Sequence, residues 1–349
     1  MRNHDLVKVA VIGLGRSGWD IHVARMRGDA RFQIVAVADF EADRISEAEA
    51  ELGCRPFKRY RDMLKSTDAE LVVVSSYSST HAPIACDVLA SGRHALVEKP
   101  VAMSVRQVQR TIDTATENGK RFFPFHNYRY TKDYRHLREV MASRLLGEVF
   151  EVRIRLLDFS RRNDWQTLRK NGGGVLNNTC PHFLDIALQL LESRVVEVFS
   201  DLKLTTDVGD AEDHVRIIVK GQNGRVVDLL ASTSCAFPEP KWTVLGTCGT
   251  LTSDGTTSHI KCFDPSKLGP LSVRDGPALD RKYANDDRIP WEEKTVPSAG
   301  AVPHDLYDNL YAVLREGGDQ DIPPEEIIEV VRITERARRK DGFYGGIRY

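Results

Sequence analysis

Two short segments of this 349-residue sequence carry side chains that could do acid–base chemistry on a hydroxyl group. The first is Glu98-Lys99-Pro100, where the lysine ammonium could stabilise a developing alkoxide and the proline fixes the direction of the main chain. The tripeptide alone fits a salt bridge at the surface equally well. Whether Lys99 can act on a hydroxyl group therefore depends on whether the strand before it ends at a ligand-binding site.

The second segment runs from Gly172 to Asp185 and combines a run of glycines with a histidine. His182 and Asp185 share a face if they lie on a helix, so the carboxylate could orient the imidazole as a general base. A histidine that is satisfied within a helix cap is the alternative. Cys180, His182 and Asp185 are also metal-ligand types, but their spacing matches no zinc signature, and we expect no metal.

A third motif, Gly13-Leu14-Gly15-Arg16-Ser17-Gly18, follows an apolar run and opens a helical pattern. There the glycines allow a tight turn, close approach of a pyrophosphate, and close packing of helix on strand. Asp39 follows Gly18 by about 20 residues, the offset of an acid that binds the adenosine ribose. The motif predicts a dinucleotide site, against the alternative of a glycine-rich turn for another ligand. Asp39 favours NAD, but Arg16 and Arg44 could neutralise a 2′-phosphate, so NADP stays open.

In the first part of the chain, apolar runs of strand length alternate with amphipathic stretches of helical length. The predicted strands are Lys8–Gly13, Phe32–Asp39, Leu71–Ser75, Ala95–Glu98 and Phe122–Phe125. The predicted helices are Gly18–Arg27, Glu41–Leu52, Thr80–Ala90 and Ser104–Asn118, the last with Ser104 as N-cap. This alternation predicts an α/β Rossmann domain with a doubly wound parallel sheet over residues 1–126. Ligands lie beyond the carboxyl ends of such strands, where we expect Lys99.

From Gly147 onward the apolar residues alternate with polar ones, which predicts strands with one buried face. The strands are Glu148–Leu157, Val195–Leu204, Asp213–Lys220, Arg225–Ser232 and Lys241–Leu245. We expect a second, α+β domain over residues 127–349, with a largely antiparallel open-faced sheet covered by the helix that begins near His182. Helices Asp305–Arg315 and Pro324–Lys340 close the chain and could pack back on the first domain. The turn-rich stretch Thr256–Pro303 is assigned no role.

The open sheet face predicts a homodimer or homotetramer. The formal net charge of −1 predicts no attraction to nucleic acid or to an anionic membrane surface. No apolar run reaches the roughly 18 residues of a membrane helix, and the start does not look like a signal peptide. The six cysteines include no C-x-x-C pair. We therefore expect a cytoplasmic protein with a small-molecule partner, no nucleic acid and no membrane.

Taken together and in order, these motifs resemble those of the Gfo/Idh/MocA oxidoreductases, the family of glucose-fructose oxidoreductase and inositol dehydrogenase. The resemblance rests on the Gly13–Gly18 motif, Asp39, Glu98-Lys99-Pro100, Asn127-Tyr128-Arg129-Tyr130 and the Gly172–Asp185 segment. It implies a Rossmann domain followed by a glyceraldehyde-phosphate-dehydrogenase-like domain. It also implies NAD(P)-dependent oxidation or reduction of a sugar, inositol or related polyol.

By position, the resemblance implies that Lys99 is the active-site lysine, His182 the catalytic base and Asp185 the acid that follows it. The substrate contacts it implies are Lys99, Tyr128, Arg129, Trp165, Asn178 and His182. The cofactor contacts are Gly13, Leu14, Gly15, Arg16, Ser17, Gly18, Asp39, Arg44, Ser76, His81, Glu98 and Lys99.

The sequence departs from the family pattern in three places. Asn178 stands where many members have Asp, and an amide can orient a hydroxyl but cannot act as a base. Ser76-Tyr77-Ser78 replaces Thr-Pro-Asn, and Cys180 replaces a frequent glycine. Two alternatives to a dehydrogenase stay open: a non-catalytic sensor or regulator that binds NAD(P) and a sugar, and an epimerase- or lyase-type enzyme that uses tightly bound NAD transiently.

Overall fold

Six strands form the first sheet of the computed structural model, which describes residues 6–273, 275–277, 287–302 and 304–340. They are β1 Val7–Ile12, β2 Phe32–Ala38, β3 Arg55–Phe57, β4 Leu71–Val74, β5 His94–Val97 and β6 Phe122–Pro124. The spatial order is β3-β2-β1-β4-β5-β6, and every neighbouring pair is parallel. β4 is buried along its whole length, as a strand covered on both faces must be. The predicted doubly wound sheet is confirmed.

Helices connect these strands. They are α1 Ala24–Arg27, α2 Ala42–Leu52, α3 Tyr60–Ser66, α4 His81–Ala90 and α5 Val105–Glu117, and a π-helical turn Ser17–Val23 precedes α1. Ser104 caps α5 as predicted, because its hydroxyl accepts a hydrogen bond from the Gln107 main-chain N–H. The sequence patterns did not predict β3 or α3, which are short and partly polar.

The second sheet has eight strands in the order β14-β13-β12-β11-β7-β10-β9-β8. They are β7 Val149–Leu157, β8 Val195–Lys203, β9 His214–Gly221, β10 Val226–Ser232, β11 Trp242–Gly246, β12 Gly249–Ser253, β13 Thr257–Cys262 and β14 Glu292–Pro297. The pairs are antiparallel except β7 with β10. The helices of this part are α6 Lys132–Ala142, α7 Val175–Asn178, α8 Cys180–Leu191, α9 Leu306–Tyr311 and α10 Ile327–Lys340.

One face of this sheet is covered and the other is open. Ile217 on β9 and Leu229 on β10 are fully buried on the face against which α8 packs. On the opposite face, Arg216 and Lys220 are exposed, and so is Phe199 of the neighbouring β8. The alternation read from the sequence therefore predicted the open-faced sheet correctly.

The stretch Thr256–Pro303 is not only a turn-rich excursion, because it contains β13 and β14. The inward-facing residues of β13 are Ser258, Ile260 and Cys262. Only one of them is strongly apolar, so the sequence pattern did not reveal this strand. β14 is largely exposed and pairs only with β13 at the sheet edge, so its residues are mostly polar. Residues 274, 278–286 and 303 of this stretch lie outside the described part.

The end of the chain returns to the first sheet. α10 packs against both α5 and α8. The Tyr307 hydroxyl on α9 lies 3.0 Å from His22 Nδ1, and Arg315 donates two hydrogen bonds to Glu70. α9 also begins with a capping box at Asp305, which accepts a hydrogen bond from Arg25 of α1. Within the described residues, no helix is long and apolar enough to cross a membrane.

Candidate active site

The glycine motif forms a tight turn between β1 and the π-helical turn. Gly13 has a φ of 91°, and a Cβ there would lie 2.5 Å from the Ser75 carbonyl oxygen. A Cβ on Gly18 would lie 1.9 Å from the Gly13 carbonyl oxygen, so the protein's own packing requires both glycines. At Gly15, by contrast, a Cβ would meet only an Arg44 nitrogen at 3.9 Å. The space at Gly15 thus fits close approach of a pyrophosphate.

Asp39 is buried at the end of β2, directly beside this turn. Its Oδ2 accepts a hydrogen bond from the Leu14 main-chain N–H at 2.6 Å, and its Oδ1 accepts one from Glu41 at 2.9 Å. The guanidinium of Arg44 lies 3.9 Å from the same carboxylate. A fixed carboxylate with free lone pairs can accept hydrogen bonds from ribose hydroxyls, and it repels a 2′-phosphate. These residues fit NAD.

Ser76 lies just beyond the end of β4, and His81 is the first residue of α4. The two ring nitrogens of His81 are each 2.9 Å from a main-chain carbonyl oxygen, those of Pro100 and Ser76. Burial lowers the pKa of His81 below its usual value, and the side chain is 2% exposed. His81 therefore links the end of β4 to the cis Lys99-Pro100 peptide through both ring nitrogens, and its expected role as a cofactor contact stays a prediction.

Glu98 is likewise internal. Its carboxylate accepts a hydrogen bond from the Lys99 main-chain N–H at 3.0 Å, and its Oε1 lies 3.3 Å from His22 Nε2. Burial alone would raise the pKa of Glu98, but the hydrogen bond and charge of His22, with the charge of Lys99, hold it below its usual value. Glu98 is thus a buried anion next to Lys99, and its expected contact with the cofactor stays a prediction.

The Lys99 ammonium projects from the end of β5 toward the second half of the chain. Its Nζ donates a hydrogen bond to the Asn178 carbonyl oxygen at 2.6 Å. Burial lowers the pKa of Lys99, and the charge of Glu98 opposes this shift. The positive charges of Arg16 and Arg162 lower the pKa of Lys99 further.

His182 lies in the first turn of α8 and stacks on Tyr128, with ring centroids 4.3 Å apart. Its Nδ1 is buried and has no hydrogen-bond partner among the described residues. Burial holds the pKa of His182 well below its usual value, and the charges of Lys99 and His126 act in the same direction. The imidazole is therefore neutral at neutral pH and can accept a proton.

Asp185 does not orient His182, contrary to the sequence-based expectation. It accepts two hydrogen bonds from Arg129, from Nε at 2.7 Å and from Nη2 at 2.5 Å. Arg129 also donates to Glu326 at 2.7 Å and is only 9% exposed. Burial alone would lower the pKa of Arg129, but these carboxylates raise it. Two carboxylates thus hold the Arg129 guanidinium inside the protein, and its expected contact with the substrate stays a prediction.

Asn178 and Trp165 belong to the segment that links the two halves. The Asn178 amide donates a hydrogen bond to Gln166 Oε1 at 2.6 Å. The Trp165 ring does not contact His182 or Tyr128 in the described contacts; it packs on Tyr77, with ring centroids 4.9 Å apart. A Cβ on Gly172 would lie 2.8 Å from the Ser79 main-chain nitrogen, so this glycine lets the segment pack closely on the first half.

Sequence reasoning did not select four residues that shape this site: His22, His126, Gln166 and Glu212. His126 follows β6 directly, and the strand-end rule that selected Lys99 would also have selected it. Glu212 accepts a hydrogen bond from the Leu176 main-chain N–H, and burial raises its pKa to about 7. No spacing rule in the sequence connects Glu212 with the start of α7, where it accepts this hydrogen bond. Within the described residues, no group of three or more His, Cys, Asp or Glu could hold a metal ion.

Comparison with known proteins gives a consistent result over both halves. Residues 7–126 match the family described as an oxidoreductase family with an NAD-binding Rossmann fold, and residues 134–252 match the GFO/IDH/MocA C-terminal domain. An inositol 2-dehydrogenase of Salmonella typhimurium is 22% identical over 320 residues, covering 89% of this chain and 88% of that protein.

Two solved structures share the fold. An NAD-binding protein from Listeria innocua superposes with a TM-score of 0.82 at 22% identity, over 97% of this chain and 98% of that one. GenD2 from gentamicin A biosynthesis, solved in complex with NAD, superposes with a TM-score of 0.75 at 22% identity, over 97% of this chain and 95% of that one.

Proposed function

The chain belongs to the Gfo/Idh/MocA family of NAD-dependent oxidoreductases, and on that premise we propose that it oxidises or reduces a hydroxyl-bearing carbon of a sugar, inositol or related polyol. The observation that carries the proposal is the buried imidazole of His182, whose Nδ1 has no hydrogen-bond partner among the described residues and whose pKa is lowered by burial and by the charge of Lys99. A proton acceptor next to a cation is what the oxidation of an alcohol needs.

NAD, when bound, would accept the hydride during oxidation of the substrate, and NADH would donate it during reduction. The residues of this chain would accept the proton of the substrate hydroxyl and stabilise the charge on its oxygen. The Nδ1 of His182 has no hydrogen-bond partner among the described residues, so no donor there competes with the substrate hydroxyl for its lone pair. Lys99 donates one hydrogen bond to Asn178, and its remaining N–H groups can stabilise the charge that develops on the substrate oxygen.

The cofactor would be held by the Gly13–Gly18 turn at its pyrophosphate and by Asp39 at its adenosine ribose. The space at Gly15 and the fixed carboxylate of Asp39 support this placement. Asn178 is held by Gln166 and would act through its amide, as an orienting group for a neighbouring hydroxyl. Tyr128, stacked on His182, would line the substrate side.

The test is the absorbance of reduced nicotinamide when the purified protein is mixed with NAD or NADP and a panel of inositols, aldoses, uronic acids and amino sugars. We expect a substrate-dependent rise that His182→Asn abolishes while NAD binding, measured by calorimetry, stays intact. His259→Asn is the matched control, because His259 is exposed on the open face of the second sheet. Near-normal turnover in His182→Asn would contradict the proposal.

The open face of the second sheet supports a further part of the proposal, that two copies associate through it. Phe199 is 55% exposed there, and Ile218 and Leu230 lie beside it on neighbouring strands, only partly covered. We expect sedimentation to show a dimer or tetramer at micromolar protein, and Phe199→Glu to dissociate it. A wild-type monomer at that concentration would contradict this association.

A further inference from the structure

Three aromatic rings form a row beside the dinucleotide turn. Phe40 follows Asp39 at the end of β2, and Tyr77 follows the end of β4; their ring centroids are 5.8 Å apart. Because β1 lies between β2 and β4 in the sheet, this contact crosses the end of β1, where the turn at Gly13 begins. Trp165 continues the row, 4.9 Å from Tyr77. The row therefore lies over the carboxyl end of the first sheet.

The third ring comes from the other half of the chain, on a firmly held segment. The Gln166 carbonyl oxygen, next to Trp165, accepts a hydrogen bond from Gly174 at 2.7 Å. The Gln166 side chain accepts from Asn178, and Asp164 Oδ1 accepts from the Gln166 main-chain N–H at 3.0 Å. Trp165 is thus part of the same unit that holds Asn178 against Lys99.

The row is not buried as ordinary core packing would be. Phe40 is 55% exposed, although it contacts Tyr77 and stands next to the fixed carboxylate of Asp39. An apolar ring held open beside a ribose-binding acid offers a surface on which a purine can stack. The Trp165 ring faces Tyr77, on the cofactor side, and not the His182–Tyr128 pair on the substrate side.

We propose that Phe40, Tyr77 and Trp165 form an aromatic cover for the adenine ring of NAD, and that this cover retards cofactor release. Trp165 and Tyr77 belong to different halves of the chain, so the cover opens only when the Trp165 segment moves away from the first half. This inference rests on NAD binding and is independent of which substrate the enzyme uses. It reassigns Trp165 from the substrate pocket to the cofactor site.

The test measures the rate of NADH release by stopped-flow fluorescence, with excess NAD added to trap the emptied site. We expect Trp165→Ala and Phe40→Ala to release NADH roughly tenfold faster than wild type, the size of one lost base–aromatic stack. Trp165→Phe keeps a ring and stays close to wild type. Trp291→Ala is the matched control, because this exposed tryptophan precedes β14 and packs on Phe263, which follows β13, at the edge of the second sheet.

Circular dichroism and thermal unfolding of each variant separate loss of the cover from loss of the fold. An unchanged release rate in Trp165→Ala, with a raised KM for the substrate, would overturn the cover and return Trp165 to the substrate pocket. An unchanged NADH release rate with lowered thermal stability would show that the three rings only stabilise the packing of the Trp165 segment. That result would also overturn the proposed cover. A wild-type protein that binds no NADH would instead refute the cofactor assignment on which the inference depends.

Discussion

The ammonium of Lys99 and the main-chain carbonyl oxygen of Asn178 are 2.6 Å apart, and they join the two halves of the molecule at the proposed reaction centre. Lys99 lies two residues beyond the end of β5 in the first sheet, and Asn178 ends α7 of the second half. The lysine is therefore positioned by both halves, and its accepting partner is a main-chain atom that side-chain substitution does not remove.

Replacing this lysine should affect turnover and leave cofactor affinity unchanged. We expect Lys99→Met to lower kcat by roughly a hundredfold or more, as the loss of one charged donor to a developing oxyanion does. NAD binding, measured by calorimetry, should stay near that of wild type because the Gly13–Gly18 turn and Asp39 are untouched. A kcat within a few-fold of wild type would remove Lys99 from the mechanism.

The environment of His182 predicts the acid limb of the pH profile. Burial and the charge of Lys99 hold the pKa of His182 well below 6.5, so the imidazole is already neutral at pH 7. For the oxidation direction, kcat/KM should therefore be flat through neutral pH and fall only well below pH 6.5. The residual rate of His182→Asn should lack this limb. A limb centred at or above pH 6.5 in wild type would contradict the assignment.

Arg129 should behave as a structural residue. Arg129→Met leaves Asp185 buried without its cation, and we expect the free energy of unfolding in urea to fall by about 3–5 kcal/mol. The double variant Arg129→Met/Asp185→Leu should recover much of that loss, because both charged partners are then gone. If the single variant instead raised the substrate KM at unchanged stability, Arg129 would be a substrate ligand.

The buried carboxyl of Glu212 predicts a loss of stability as the pH rises from about 4.5 through 7. Burial raises the pKa of Glu212 to about 7 from an unfolded value near 4.5, so the folded state holds its proton more tightly than the unfolded state. This contribution is complete below pH 4.5 and is lost as the pH rises through 7. At pH 8 we expect Glu212→Gln to exceed wild type in unfolding free energy by roughly 3 kcal/mol, with little difference at pH 5.

Urea unfolding at a series of pH values measures this difference. The matched control is Glu197→Gln, an exposed glutamate on β8, which should show the same pH dependence as wild type. An identical pH slope in Glu212→Gln and wild type would show that Glu212 is ionised in the folded protein throughout this range.

The sequence predicted those features of the fold that follow from local pattern. The buried strands of the first sheet and the alternating strands of β7, β9 and β10 follow from the period of their apolar residues. β14 could not be found in this way, because an exposed edge strand needs no apolar residues. The sequence placed Lys99 at the ligand-binding edge because strand ends define that edge of a parallel sheet, and it selected Asp39 by its offset from the glycine motif; their roles stay predictions.

The partners of the site residues were not predictable in the same way. Asp185 lies near His182 in sequence, but its carboxylate pairs with Arg129, which is 56 positions away. Helical spacing states only which residues share a face, and tertiary packing decides which partner lies within reach. The same limit applies to Trp165, whose contact with Tyr77 depends on how the two halves pack.

Because α9 packs against the first half of the molecule, the nucleotide-binding half expressed alone would lack part of its packing. Tyr307 reaches His22 across 285 positions of sequence, and its ring also contacts Phe125 in the core of the first half. His22 in turn contacts Glu98, behind the proposed catalytic lysine. A fragment ending near residue 126 would lack this support. The nucleotide site therefore depends on the whole chain and not on its first third alone.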